Sequence, residues 1–294
     1  MFHKLLIAGA LAGLAGAAAA EDWSVLQDPA ELAPVVDSQG AVILDIRAVA
    51  DYAQGHLEGA VNVPYHAWRG PEDNPGALIS GEKLTLLLSE AGVEPDWPVV
   101  VTHAGDGPLD FGAAARVYWT LKSAGVGQIA ILNGGVAGWA AAGLDLTTAE
   151  GANFPSDYRF SFTQDWMIGE DGVAEVVSGR ADALLVDARP ESFFTGDEAH
   201  ERAAWAGTLA DALNLPHARW FDGGRLSVTP EEARAAARAA GWTEGTEIVS
   251  FCNTGHWAAT NWFVLSEIAR IEGVRLYPES MVGWTQTRGP RTDG

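Results

Sequence analysis

The same run of short motifs occurs twice along the chain. A segment ending Asp45-Ile46-Arg47 is answered by one ending Asp187-Ala188-Arg189, and Asn62-Val63-Pro64 by Asn214-Leu215-Pro216. Near the end of each run, Val136-Ala137-Gly138-Trp139 is echoed by Val282-Gly283-Trp284. Asp187 follows Asp45 by 142 residues, Cys252 follows His103 by 149, and Trp284 follows Trp139 by 145. Near-equal offsets between well-separated landmarks point to a duplicated unit of about 130 residues, so the chain must fold as two similar bodies.

Within each copy, short apolar runs alternate with helical stretches, the pattern of an α/β protein. Residues 41–45, 99–102, 129–132, 183–187 and 247–251 read as strands. Residues 48–54, 83–91, 110–124, 136–142, 230–240 and 258–270 read as helices. Uninterrupted runs such as Val99-Val100-Val101 suit a mostly parallel sheet flanked by helices, where strands are covered on both faces. The expected division is residues 21–148, a linker over 149–160, and residues 161–294. With 294 residues, each body is large enough for its own core.

Ahead of the first copy, Lys4, the apolar run 5–19 and Ala18-Ala19-Ala20 before Glu21-Asp22 have the order of a secretory signal. The run is short for a membrane span, so residues 1–20 are expected to be removed and the product to be periplasmic, with no membrane contact afterwards. A net charge of −21, from 18 Lys+Arg against 39 Asp+Glu, argues against nucleic acid as a partner, because phosphate binding needs clustered cations.

Cys252 is the only cysteine, so no disulfide forms within the chain. It is either a small buried hydrophobe or a nucleophile. The loop Cys252-Asn253-Thr254-Gly255-His256-Trp257-Ala258 follows a buried strand and opens a helix. Its amide N–H groups lack intrahelical partners there, and together with the helix dipole they favour an anion. A thiolate in that place is expected to form more readily than at the ~8.5 of a free cysteine. The first copy has His103 at this point, so only the second can do thiol chemistry.

Residues 42–47 (Val-Ile-Leu-Asp-Ile-Arg), Asp51-Tyr52 and 55–64 (Gly-His-Leu-Glu-Gly-Ala-Val-Asn-Val-Pro) resemble the opening signature of rhodanese domains. The Cys252 loop and residues 132–139 are similar to the family's later motifs. The resemblance covers nearly all of the chain after residue 20 and implies two tandem rhodanese-like domains, the first inactive and the second catalytic. It further implies a sulfurtransferase, moving a sulfane sulfur from thiosulfate or 3-mercaptopyruvate to cyanide or a thiol. The carrier would be a persulfide on Cys252, cradled by Asn253, Thr254, Gly255, His256, Trp257 and Ala258. Arg189 matches a family arginine that meets an anionic substrate, although a salt bridge to Asp187 is equally expected. This loop departs from both the basic loop of thiosulfate enzymes and the Gly/Ser/Thr loop of mercaptopyruvate enzymes. Its only ionisable member besides Cys252 is His256. A longer insertion, residues 195–212, replaces the Gly-His-x-x-Gly-Ala stretch in the second copy, and either covers the site or carries partner contacts.

Other candidates are weaker. His56 sits in a turn and is expected to be structural, and His103 a relic or interface residue. His200 and His217 lack metal-ligand spacing, and no phosphate-binding loop is present, so neither metal nor cofactor is expected. Trp139 and Trp284 read as core anchors, and Trp257 as either an anchor or a pocket wall. One alternative to turnover is a persulfide carrier or interaction module whose sulfur donor or acceptor is a protein. A cysteine phosphatase would need an arginine where Ala258 stands.

Overall fold

A computed structural model describes residues 23–151 and 154–289. The expected secretory signal lies outside these residues. In the first half, β1 (Leu26–Gln27), β2 (Val42–Asp45), β3 (Val61–Asn62), β4 (Val99–Thr102) and β5 (Ile129–Leu132) form a parallel sheet in the order β1-β5-β4-β2-β3. Helices α1 (Pro29–Asp37), α2 (Val49–Gln54), α3 (Gly81–Glu90), α4 (Pro108–Ser123) and α5 (Gly135–Ala141) flank it.

The second half repeats this plan with β6 (Leu184–Asp187), β7 (Leu213–Asn214), β10 (Ile248–Phe251) and β11 (Val274–Leu276) in the order β11-β10-β6-β7. An isolated parallel bridge, Met167 to Leu276, stands where β1 pairs with β5. Its helices are α6 (Glu170–Val177), α7 (Glu191–Thr195), α8 (Pro230–Ala239), α9 (Trp257–Trp262) and α10 (Ser280–Thr287). Register repeats too: Asp45 pairs with Thr102 in one sheet, and Asp187 with Phe251 in the other.

Local chemistry accounts for these elements. Central strands β4 and β10 are buried at all four positions, as a strand covered by helices on both faces must be. Helix α8 begins at a capping box between Thr229 and Glu232 with Pro230 in its first turn. Its buried face is Ala233, Ala236 and Ala237, small side chains that let it close tightly on the core. Trp139 and Trp284 are buried, as their matched positions suggested.

The structure differs from expectation in one place and adds detail in two others. The helix expected over 258–270 is α9 followed by wider π-helical turns at Phe263–Ile268, where the Ala269 N–H reaches back to Val264 O. Within the expected linker, Ser156 bonds Ser89 O and Val93 O, and the Phe160 N–H donates to Thr85 Oγ1, tying segment 154–160 to the first half. A hairpin of β8 (Phe221–Asp222) and β9 (Arg225–Leu226), turning on Gly223 and Gly224 at φ of 55° and 86°, went unforeseen. It crosses to the first half, where Leu226 and Asn133 exchange two hydrogen bonds and Arg225 pairs with Asp28.

Candidate active site

Cys252 follows directly on β10, and its residue is only 1% exposed. The loop after it is shaped from below by Ser280, the first residue of α10. Ser280 Oγ accepts from the N–H groups of Cys252 and Gly255, at 3.0 and 3.1 Å, and donates to Tyr277 O. Cys252 O and Asn253 O in turn accept from the Met281 and Val282 amides. Two loop amides, those of Cys252 and Gly255, are therefore spent on scaffolding. Among the described residues, the amides of Asn253, Thr254, His256, Trp257 and Ala258 donate to no protein acceptor. They remain as the loop's anion donors at the opening of α9. Ser280, which sequence reasoning missed, has φ +53°, a conformation that a non-glycine residue adopts only under tertiary constraint.

Fixed positive charge, scarce within the loop, arrives from the other half. Arg69 Nη2 donates to Thr254 O at 2.7 Å, and Arg116 of α4 donates to Gly255 O at 3.2 Å and Gly76 O at 2.9 Å. Arg116 is fully buried, and burial lowers its pKa to about 9, with Arg69 pushing the same way. Tyr65 OH contacts His256 Nδ1 at 2.8 Å, while His256 Nε2 lies 2.6 Å from Leu109 O. A carbonyl only accepts, so Nε2 carries the proton and Nδ1 accepts from Tyr65. Gly112 on α4 leaves room for this ring, since a Cβ there would lie 2.8 Å from it.

Burial pushes His256 down to about 3, with Arg69, His217 and Arg116 adding to the effect against the Leu109 hydrogen bond. It is a neutral strut between the halves at physiological pH. Replacing it with glutamine is therefore expected to leave the shape of the pH–rate profile unchanged between about pH 5 and 8; loss of an ionisation in that window would contradict the assignment. The unfolded chain protonates this histidine near ~6.5 and the folded chain resists until about 3, so stability should fall as pH drops through that interval. His217 and His200 are lowered by burial and act in the same direction, so the measurable quantity is a shallower pH dependence of urea unfolding in His256→Gln than in the wild type.

Arg189, expected as a substrate contact or a salt bridge, is engaged on every side. Its Nε and Nη2 grip the Asp187 carboxylate, Nη2 also reaches Gly207 O, and Nη1 reaches Asn253 Oδ1 at 3.2 Å. Arg47 grips Asp45 and Gly55 O in the same way in the half that has no cysteine. The Asp-x-Arg pair is thus a brace of the fold, used twice, and in the second half it steadies Asn253. Residues 195–212 close over this brace: Thr208 bonds Asp187, Trp205 bonds Arg288 O, and the Ala204 N–H bonds Thr285. Trp257 stacks on His217 with ring centres 4.9 Å apart and meets Phe193 edge-on, forming one wall beside the loop.

In the first half, His103 stands at the end of β4, where Cys252 stands in the second. Its Nδ1 lies 2.6 Å from Asp110 Oδ2, which also accepts from the amides of Gly105 and Asp106. Burial raises the Asp110 carboxyl, but the His103 bond and these amides outweigh it and leave it below the usual carboxylate range. The chain's own carboxylate fills the nest that would otherwise receive a substrate anion. His56 is held by contacts to Tyr52 O and Ala149 O, a structural role. No group of three or more metal-binding side chains occurs among the described residues.

The pattern of the rhodanese-like domain matches residues 28–142 and again residues 173–287. The chain belongs to the rhodanese-like domain family. Among its relatives, this chain is 28% identical to the 3-mercaptopyruvate sulfurtransferase of Escherichia coli K12, over 85% of each chain. It is 27% identical to the sulfur carrier protein TtuD of Thermus thermophilus, over 79% of this chain and 83% of that one. The crystal structure of SseA from Escherichia coli superposes with a TM-score of 0.73 at 26% identity, covering 87% of this chain and 98% of the other. Both halves of the chain thus carry the family fold, and only the second carries a thiol.

Proposed function

We propose that the chain is a sulfurtransferase that carries a sulfane sulfur from thiosulfate or 3-mercaptopyruvate to a thiol or cyanide as a persulfide on Cys252. With thiosulfate, the Cys252 thiolate attacks the outer sulfur, the donor's S–S bond breaks, and sulfite leaves with the bonding pair. With 3-mercaptopyruvate, the C–S bond breaks and the pyruvate enolate takes up a proton. The acceptor then attacks the outer sulfur of the persulfide, and Cys252 departs as the thiolate. No oxidant is consumed.

The observation that carries this reading is the placing of the sole cysteine after a central parallel strand, at the mouth of a helix whose first amides have no protein acceptor. Donors fixed in advance stabilise an anion without reorganising as it forms, a large term in catalysis. Incubation with either donor is expected to add one sulfur atom at Cys252, read by intact mass, and Cys252→Ser to abolish transfer to cyanide. Uptake from neither donor would overturn the reading. The same measurement on protein recovered from the periplasm should give a chain beginning at Glu21, which tests the proposed export.

A second reading, a carrier loaded by another protein, is supported by likeness to a relative named a sulfur carrier. Loading by a protein persulfide alone, with no turnover of small donors, would select it.

A further inference from the structure

Two arginines of the half without a cysteine reach the catalytic loop with no carboxylate to balance them. Arg69 and Arg116 form no ion pair among the described residues, although the chain carries 39 acidic side chains. Buried cations at comparable places elsewhere, Arg47 and Arg189, are each clamped by an aspartate. An unbalanced guanidinium in the interior, here Arg116 with the half-buried Arg69 beside it, is expensive, and such groups are ordinarily matched by an anion.

The two differ in what they have left to offer. Both terminal nitrogens of Arg116 are taken by the carbonyls of Gly255 and Gly76 and only its buried Nε lacks an acceptor, so the outer edge of the group acts on the loop as a fixed charge. Arg69 holds Thr254 O with Nη2, stands 5.3 Å from the centre of the Tyr65 ring, and leaves Nη1 buried with no acceptor. Tyr65 joins the same junction, its hydroxyl on His256 and its ring beside the Arg69 guanidinium. A planar guanidinium with one prong fixed on the backbone of the loop that begins at Cys252, and the other empty, is shaped for an oxygen anion at that loop.

We propose that Arg69 is a specificity-determining residue that selects anionic sulfur donors, its Nη1 binding the donor's sulfonate or carboxylate oxygen while Nη2 stays on Thr254 O. The inference rests on the sulfurtransferase reading for its substrate class. Donor recognition then belongs to the first half and sulfur chemistry to the second, which explains how a loop without lysine or arginine serves a negatively charged substrate. Domain pairing is in that case part of the binding site.

Because Cys252 is the only thiol, its alkylation by iodoacetate and by iodoacetamide, reagents of similar size and different charge, reports the local preference for an anion. Taking the ratio of the two rates removes differences in exposure and thiolate content. In the full-length wild type, that ratio should exceed the ratio measured on an unstructured cysteine peptide. Arg69→Met should lower it by about tenfold or more, the effect of one lost hydrogen bond to a charged group, and Arg69→Lys should restore most of it. KM for thiosulfate should rise in Arg69→Met more than kcat falls.

A wild-type ratio no higher than the peptide's, or an Arg69→Met ratio within about twofold of the wild type, would overturn the proposal. Should Arg69→Met fail to fold by circular dichroism, the wild-type comparison and Arg69→Lys still decide. A changed ratio without sulfur uptake would sink the sulfurtransferase reading and keep the anion site. Uptake with an unchanged ratio would do the reverse.

Discussion

Gly255→Ala is expected to reduce sulfur transfer by about a hundredfold or more, because the catalytic loop can no longer close on its supports. Gly255 has φ +67°, and a Cβ there would lie 2.3 Å from both Arg116 Nη1 and Pro278 O. The left-handed backbone costs alanine ~1–2 kcal/mol. Overpacking adds ~1–3 kcal/mol, and the carbonyl of Pro278 is backbone, unable to swing aside as a side-chain tip would. Relief requires pushing the loop off Arg116, which moves Cys252 relative to its amides. Comparing kcat/KM for thiosulfate with the thermal midpoint separates misplacement from unfolding. A folded variant with activity within about twofold of the wild type would remove Gly255 from the account of the site.

Ser280→Ala should be the most destabilising single-atom deletion near the site. One hydroxyl accepts from two buried amides and donates to Tyr277 O. Removing it orphans the Cys252 and Gly255 N–H groups, at ~1–3 kcal/mol each when buried. Glycine at the same position loses the same hydrogen bonds but is at ease at φ +53°, so Ser280→Gly should be less destabilised than Ser280→Ala. Urea unfolding of the two variants, followed by Trp fluorescence, measures the order. Equal stability of Ser280→Ala and the wild type would show that water replaces the hydroxyl.

Much of this architecture was legible in the residues because it is written in local patterns that recur. Strands such as Val99–Thr102 and Ile129–Leu132 are short, wholly buried and bounded by turn residues, so periodicity and breakers locate them to the residue. Cys252 was legible because strand, loop and helix follow one another in sequence. Its electrostatic surroundings were not. Arg69 acts on Thr254 from 185 positions away and Arg116 on Gly255 from 139, and no pattern within either copy announces a contact between them.

The two readings of Arg189 also needed coordinates. Asp187 lies two residues before it in either case, and only the third contact, to Gly207 O, shows the guanidinium filled. The β8–β9 hairpin escaped because its strands are two residues each, too brief for alternation to register. Asp222-Gly223-Gly224 was the available signal, a dipeptide pair that favours a tight reversal.

The halves also exchange coverings. Tyr65 and Arg69 lie over the cysteine loop, and the β8–β9 hairpin lies over the opposite half near Asn133. A duplicate that has lost its own reaction would ordinarily be free to accumulate substitutions. Here its surface packs on the loop that carries the chain's thiol, so changes at Tyr65, Arg69, Gly112 or Arg116 are felt in the other half. A substitution in the half without a cysteine therefore reaches the geometry of the half that has one.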